Sequence, residues 1–82
     1  DYAGAIASYR EAARLAPGNA AVRSTLGGAL AELKDFAGAA ASYREAIRLD
    51  PGFALAHNGL GNALWAAKDF AGAATSFREA AR

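Results

Sequence analysis

The sequence predicts an all-α solenoid of five helices, each antiparallel to the next and stacked as repeated hairpins. Three observations lead there. The segment Asp1-Tyr-Ala-Gly-Ala-Ile-Ala-Ser-Tyr-Arg-Glu-Ala-Ala-Arg-Leu-Ala-Pro17 recurs as Asp35-Phe-Ala-Gly-Ala-Ala-Ala-Ser-Tyr-Arg-Glu-Ala-Ile-Arg-Leu-Asp-Pro51, and again from Asp69-Phe-Ala-Gly to Arg82. Asp1, Asp35 and Asp69 are thus 34 residues apart, and a period of about that length marks an array of helical hairpins in which each unit touches only its neighbours. Within each period apolar residues fall at three- and four-residue steps, and Pro17-Gly18 and Pro51-Gly52 interrupt them.

Each helix follows from local signals. The first, 2–15, opens after Asp1, whose carboxylate can accept from the first-turn amides. Asn19 does the same for the second, 20–33, whose apolar face is Val22, Leu26, Ala29, Leu30 and Leu33. The third, 36–49, follows Asp35 and places Phe36, Ala39, Ala40, Tyr43, Ala46, Ile47 and Leu49 largely on one face; Ser42, Arg44, Glu45 and Arg48 fall mostly on the other. The fourth, 54–67, starts after Pro51-Gly52, and the fifth, 70–81, after Asp69. Asn58-Gly59 would be a hairpin signal between strands, but helical periodicity runs through it on both sides, so it is read as helix. Short connections make successive helices antiparallel neighbours. The chain is read as one domain, 1–82, divided into a partial unit 1–19 and units 20–53 and 54–82.

Small residues carry the packing. Ala5, Ala39 and Ala73, with Ala12, Ala46 and Ala80, are expected where helices cross; Tyr9, Tyr43 and Phe77 insert a ring between them, with Tyr43 and Phe77 buried. Gly27 and Gly61 lie in mid-helix at a cost of roughly 1 kcal/mol each relative to alanine, which points to close approach of another helix backbone.

Composition narrows the function. Hydrophobic residues at 54% and charged residues at 21% fit a globular chain too short for a second domain. A net charge of +1 recommends neither nucleic acid nor an acidic membrane surface as partner. Without cysteine there is no disulfide, thiolate metal site or cysteine nucleophile. No apolar run approaches the roughly 18 residues of a membrane span, and no charged-then-apolar leader opens the chain; a soluble intracellular location is the default expectation. The chain begins and ends inside its own period, as a piece of a longer array would.

The spacing resembles the tetratricopeptide repeat family. Its pattern of Leu-Gly, Ala, a large ring, Ala and Pro is met by Leu26-Gly27, Leu30, Ala39, Tyr43, Ala46 and Pro51, and again by Leu60-Gly61, Leu64, Ala73, Phe77 and Ala80. Ala5, Tyr9, Ala12 and Pro17 match the second half of an earlier unit. Arg23 and His57 stand where the family often has tryptophan, and Lys34 and Lys68 where the turn often has glycine. The resemblance implies binding of peptides or extended segments in a concave groove. Its walls would be Ala21, Ser24, Thr25, Gly28, Ala31 and Glu32 from one first helix, and Leu55, Asn58, Gly59, Asn62, Trp65 and Ala66 from the other.

Among these, Asn62 and Asn58 present amides suited to peptide backbone, Trp65 an aromatic anchor, and Leu55, Ser24 and Gly28 the surrounding wall. One family class grips carboxylate tails of heat-shock chaperones through lysine, arginine and asparagine. No groove cation is present here, so carboxylate capture is not expected. The tract Leu55-Ala-His-Asn-Gly-Leu-Gly-Asn62 is similar to the asparagine ladder of O-linked N-acetylglucosaminyltransferase arrays, although Thr25 and Gly59 fill the usual ladder places. The lone His57 is read as a packing residue.

No catalytic constellation, metal-spaced cluster or phosphate loop is present, so neither enzymatic activity nor a cofactor is expected. Gly59-Leu-Gly61 lacks the third glycine and the preceding strand of a dinucleotide fingerprint. Arg10/Glu11/Arg14, Arg44/Glu45/Arg48 and Arg78/Glu79/Arg82 are read as a solvated convex face, because no aromatic platform lies among the arginines. The sequence thus reads as a protein-interaction scaffold with a protein or peptide partner. The alternatives are a substrate-presenting arm of a larger enzyme and a spacer without ligand. Apolar terminal faces lead to an expectation of end-to-end self-association.

Overall fold

A computed structural model describes all residues, 1–82. Its elements are α1 (Tyr2–Leu15), α2 (Ala20–Glu32), α3 (Phe36–Leu49), α4 (Ala54–Ala66) and α5 (Phe70–Ala81), with no strand. The caps act as their chemistry dictates. Asp1 accepts from the Ala3 amide, Asn19 from Val22, Asp35 from Gly38 and Asp69 from Gly72. Phe53 caps α4 without a side-chain hydrogen bond.

The second and fourth helices end one residue earlier than expected, at Glu32 and Ala66, because the chain turns left-handed two residues on. Lys34 and Lys68 have φ of 64° and 68°. At each, two hydrogen bonds close the helix end. The Lys34 amide donates to the Ala31 carbonyl and the Asp35 amide to Leu30, both at 2.9 Å. Lys68 donates to Trp65 and Asp69 to Leu64 at 2.9 and 2.8 Å. This is the pairing that usually recruits glycine, and here lysine adopts it. The same turn delivers Asp35 and Asp69 to cap the next helix, so one bend ends a helix and starts another.

Packing proceeds from helix to next helix, α1 on α2 through α4 on α5, with α2 also touching α4. Of the six alanines expected at crossings, Ala39, Ala46 and Ala73 are fully buried at 0% exposure, as is Ala56. Ala5, Ala12 and Ala80, in the two terminal helices, are only half-buried because those helices have a neighbour on one side alone. Leu26, Leu30, Leu60 and Leu64 fill the space between helices, joined by Ile6. Burying each such leucine contributes about 1.5–3 kcal/mol. Tyr43 is buried as expected, but Phe77 is only half-buried. The reason is its neighbours: Tyr43 lies in a helix flanked by both α2 and α4, whereas α5 packs on α4 alone.

Of the residues that replace the family tryptophan, one is inside and the other half-buried. His57 is buried, with Nε2 2.8 Å from the Pro51 carbonyl oxygen. A carbonyl only accepts, so Nε2 carries the proton and ties α4 to the turn before it. Arg23 at the equivalent place keeps Nε buried without a hydrogen-bond partner.

Candidate peptide groove

The concave face is built around one ring. Tyr43 projects from α3 into the gap between α2 and α4, where only glycine leaves room. A methyl placed on Gly27 would lie 3.0 Å from the ring, and one on Gly59 would overlap it outright. Gly28 lies beside the hydroxyl, its methyl position 3.5 Å from that oxygen. The ring therefore passes from the core through the α2–α4 seam and delivers its polar end to the far side. Burial pushes the Tyr43 hydroxyl above its ordinary value of 10.

That side is a recess of about 290 Å³ lined by Gly28, Ala31 and Glu32 of α2, Phe36 and Tyr43 of α3, and Gly59, Asn62 and Ala63 of α4. Asn62 is exposed, with its amide free of hydrogen bonds to the chain. A second recess, about 350 Å³, lies beside it, lined by Tyr2, Ala5, Tyr9, Thr25, Gly28, Ala29 and Glu32. The two are related by the repeat: Tyr2, Tyr9, Thr25, Gly28 and Ala29 stand one period before Phe36, Tyr43, Gly59, Asn62 and Ala63. Gly28 and Glu32 border both.

The six residues expected to form the site are therefore distributed. Asn62 and Gly28 meet in the Tyr43 recess. Leu55 and Asn58 are exposed and line another depression, about 360 Å³, with Ala54, Phe77, Ala80 and Ala81. They part from Asn62 because α4 is antiparallel to α5, which sets the first turn of α4 beside the last turn of α5. Ser24 is half-buried and borders neither cavity. Trp65 is 60% exposed and meets Phe70 edge to face, ring centroids 4.7 Å apart. It is a surface residue and not a core one. The largest depression, about 810 Å³, runs between the α1–α2 and α3–α4 turns and includes none of the six.

Sequence reading missed Tyr43 as part of this surface and missed what Gly59 does within it. Tyr43 reads as core, and its hydroxyl reaches the groove only because the ring crosses the seam. Gly59 reads as groove wall, although its role is to admit that ring. The available signal was the period itself: glycine at 59 stands where the preceding unit has Thr25.

The arginine sets lie on exposed faces of α1, α3 and α5. Arg14, Arg48 and Arg82 pair with Glu11, Glu45 and Glu79 three residues earlier. The hydrogen bond from Arg14 holds Glu11 below the ordinary carboxylate value, as that from Arg48 does for Glu45. Half of the stripe's positive charge is thus matched within its own helix.

These features agree with the comparison to known proteins. A family model described as TPR repeat matches residues 27–68, and another described as tetratricopeptide repeat matches residues 1–40. The chain belongs to the tetratricopeptide repeat family. It is similar to the TPR2B domain of yeast Sti1, solved in a pHsp70 complex, with a TM-score of 0.95 and 34% identity over 98% of this chain and 64% of that one. It is also similar to MamA of MSR-1, with a TM-score of 0.90 and 28% identity over 96% of this chain and 45% of that one. The first TPR of Spaghetti, bound to the HSP90 peptide SRMEEVD, shares the fold with a TM-score of 0.95 at 24% identity, over 96% of this chain and 63% of that one. In all three cases this chain spans less than two thirds of the other's length. No curated protein matches it.

Proposed function

We propose that this chain is a peptide-binding scaffold segment whose partner lies extended along the concave face, over the Tyr43 recess and toward Trp65. In this reading units 20–53 and 54–82 are the repeating elements, and their first helices, α2 and α4, form the walls. The observation that carries it is the recess itself. Asn62, whose amide makes no hydrogen bond within the chain, and Tyr43 line a cavity otherwise bordered mostly by glycine, alanine and Phe36. Polar groups fixed in an apolar concavity are the common form of a recognition site. Asn62 offers a donor pair and an acceptor, the complement of one peptide unit. Trp65 adds a rigid, exposed anchor one turn away. The similar Sti1 domain is a structure in complex with an Hsp70 ligand, which supports a peptide as the class of partner. A protein partner is favoured over a nucleic acid by the pairing of half of the arginines with glutamates and by recesses lined without lysine or arginine.

The test is selection from a random dodecapeptide library displayed on phage against the immobilised chain, followed by fluorescence anisotropy on the selected peptides. Asn62→Ala combined with Trp65→Ala is expected to weaken binding at least tenfold while circular dichroism is unchanged. Peptides indifferent to both substitutions would overturn the reading.

A further inference from the structure

The two neighbouring recesses of the concave face have ten or more apolar and neutral wall positions between them and a single charged one. That residue is Glu32, exposed at the end of α2 and common to both cavities. Lys34 and Lys68, in the following turns, line neither recess. The field inside is set by one carboxylate, reinforced by the C-terminal end of α2, where the helix dipole places about −0.5 of an elementary charge.

We infer that the groove selects an extended segment carrying a lysine or arginine, and that this side chain enters the Tyr43 recess with its cation against Glu32. The inference rests on the peptide-binding reading above and names the chemistry of the partner. Three of the residues that line the cavity carry side-chain acceptors: the Glu32 carboxylate, the Tyr43 hydroxyl and the Asn62 amide carbonyl. They match the three donors of an ammonium group. Gly28, Ala31, Ala63 and the Phe36 ring supply the apolar wall along which a long side chain lays its methylene stem while its charged head meets polar groups. Size agrees. A cavity of about 290 Å³ holds on the order of ten water volumes of roughly 30 Å³, room for a lysine or arginine side chain but not for a helix. An acidic side chain in the same place would face Glu32 with no cation to offset it. Charge-assisted hydrogen bonds are roughly twice as strong as neutral ones, so the carboxylate governs which residue is preferred. Because Glu32 is exposed, the preference falls with ionic strength.

The experiment uses the dodecapeptides selected above. Enrichment of lysine or arginine at one position is expected. In a selected peptide, replacing that residue by norleucine should weaken binding about fivefold and by glutamate more than tenfold, both measured by anisotropy at 50 mM salt. Glu32→Gln should abolish the difference between the lysine and norleucine peptides, and 0.5 M salt should shrink it in the wild type. Tyr43→Phe, which keeps the ring, should lower affinity for the lysine peptide in part, with unchanged circular dichroism. Selection of acidic or neutral peptides, or an undiminished lysine preference in Glu32→Gln, overturns the inference. If such peptides still lose affinity on Asn62→Ala, the peptide groove stands and only its cation preference fails. A library that yields no binder overturns both.

Discussion

Tyr43 and Phe77 occupy the same place in consecutive units, one period apart, preceded by the same Leu-Gly and Ala positions, yet they live in different surroundings. Tyr43 is held between α2 and α4, with Gly27 and Gly59 pressed to its faces. Phe77 has a tight partner on one side, since a methyl on Gly61 would lie 2.6 Å from its ring, and borders an open depression with Leu55 and Asn58 on the other. The difference teaches that a repeat does not bury its own aromatic residue. Its own hairpin supplies one wall, and the next unit's first helix supplies the second.

The largest effect should come from removing the enclosed ring. Tyr43→Ala is expected to cost about 3–5 kcal/mol, the range for deleting a buried aromatic side chain. Phe77→Ala should cost less than half as much, because part of that ring already meets water. Urea denaturation read by circular dichroism compares them, and equal losses would break the contrast.

The glycines sharpen it. Gly59→Ala drives a methyl into a ring that has no free direction, an overpacking cost of about 1–3 kcal/mol that outweighs the gain of roughly 1 kcal/mol in helix propensity. Gly61→Ala meets a ring that can swing toward solvent, so its net effect should be near zero. Tyr43→Leu introduced with Gly59→Ala should restore part of the loss, and additivity in that double-mutant cycle would mean the two residues do not touch.

Smaller effects belong to the two equivalent turns. Lysine in the left-handed region bears a steric cost of about 1–2 kcal/mol that glycine avoids, while glycine loses more entropy on folding. Lys34→Gly and Lys68→Gly should therefore each raise stability by about 0.5 kcal/mol, or roughly 2–4 °C in melting temperature for a chain of this size. Calorimetry would detect both, and a drop would mean the lysine side chains hold the turns by other contacts.

The smallest effects are electrostatic and have opposite pH windows. Glu11 and Glu45 are held below 4.5 when folded, so their contribution is present above that pH and fades as pH falls through the lowered values. Tyr43 is raised above 10, so its contribution is complete below pH 10 and is lost as pH rises beyond it. Melting temperatures from pH 9 to 11 should fall for the wild type and hold steadier for Tyr43→Phe.

The helices themselves were legible because their causes are local. An aspartate carboxylate reaches an amide three residues on, apolar residues recur at helical steps, and Pro-Gly stops the pattern; none of this needs a distant neighbour. The period also revealed the stacking, since each unit leaves a face that only another unit covers. Some features nonetheless lay beyond local reasoning. The exposure of Phe77 depends on what packs beside α5. The separation of Leu55 and Asn58 from Asn62 depends on where the end of α5 falls. Most of all, the Tyr43 hydroxyl became part of the concave face only when three helices met around it. The five helices, four of their caps and their order were fixed by sequence alone, because hydrogen bonding and periodicity act within a few residues. Tertiary structure alone decided which ring is enclosed, which glycine admits it and where Glu32, Tyr43 and Asn62 converge, because close packing is a relation between surfaces that the chain brings together only on folding.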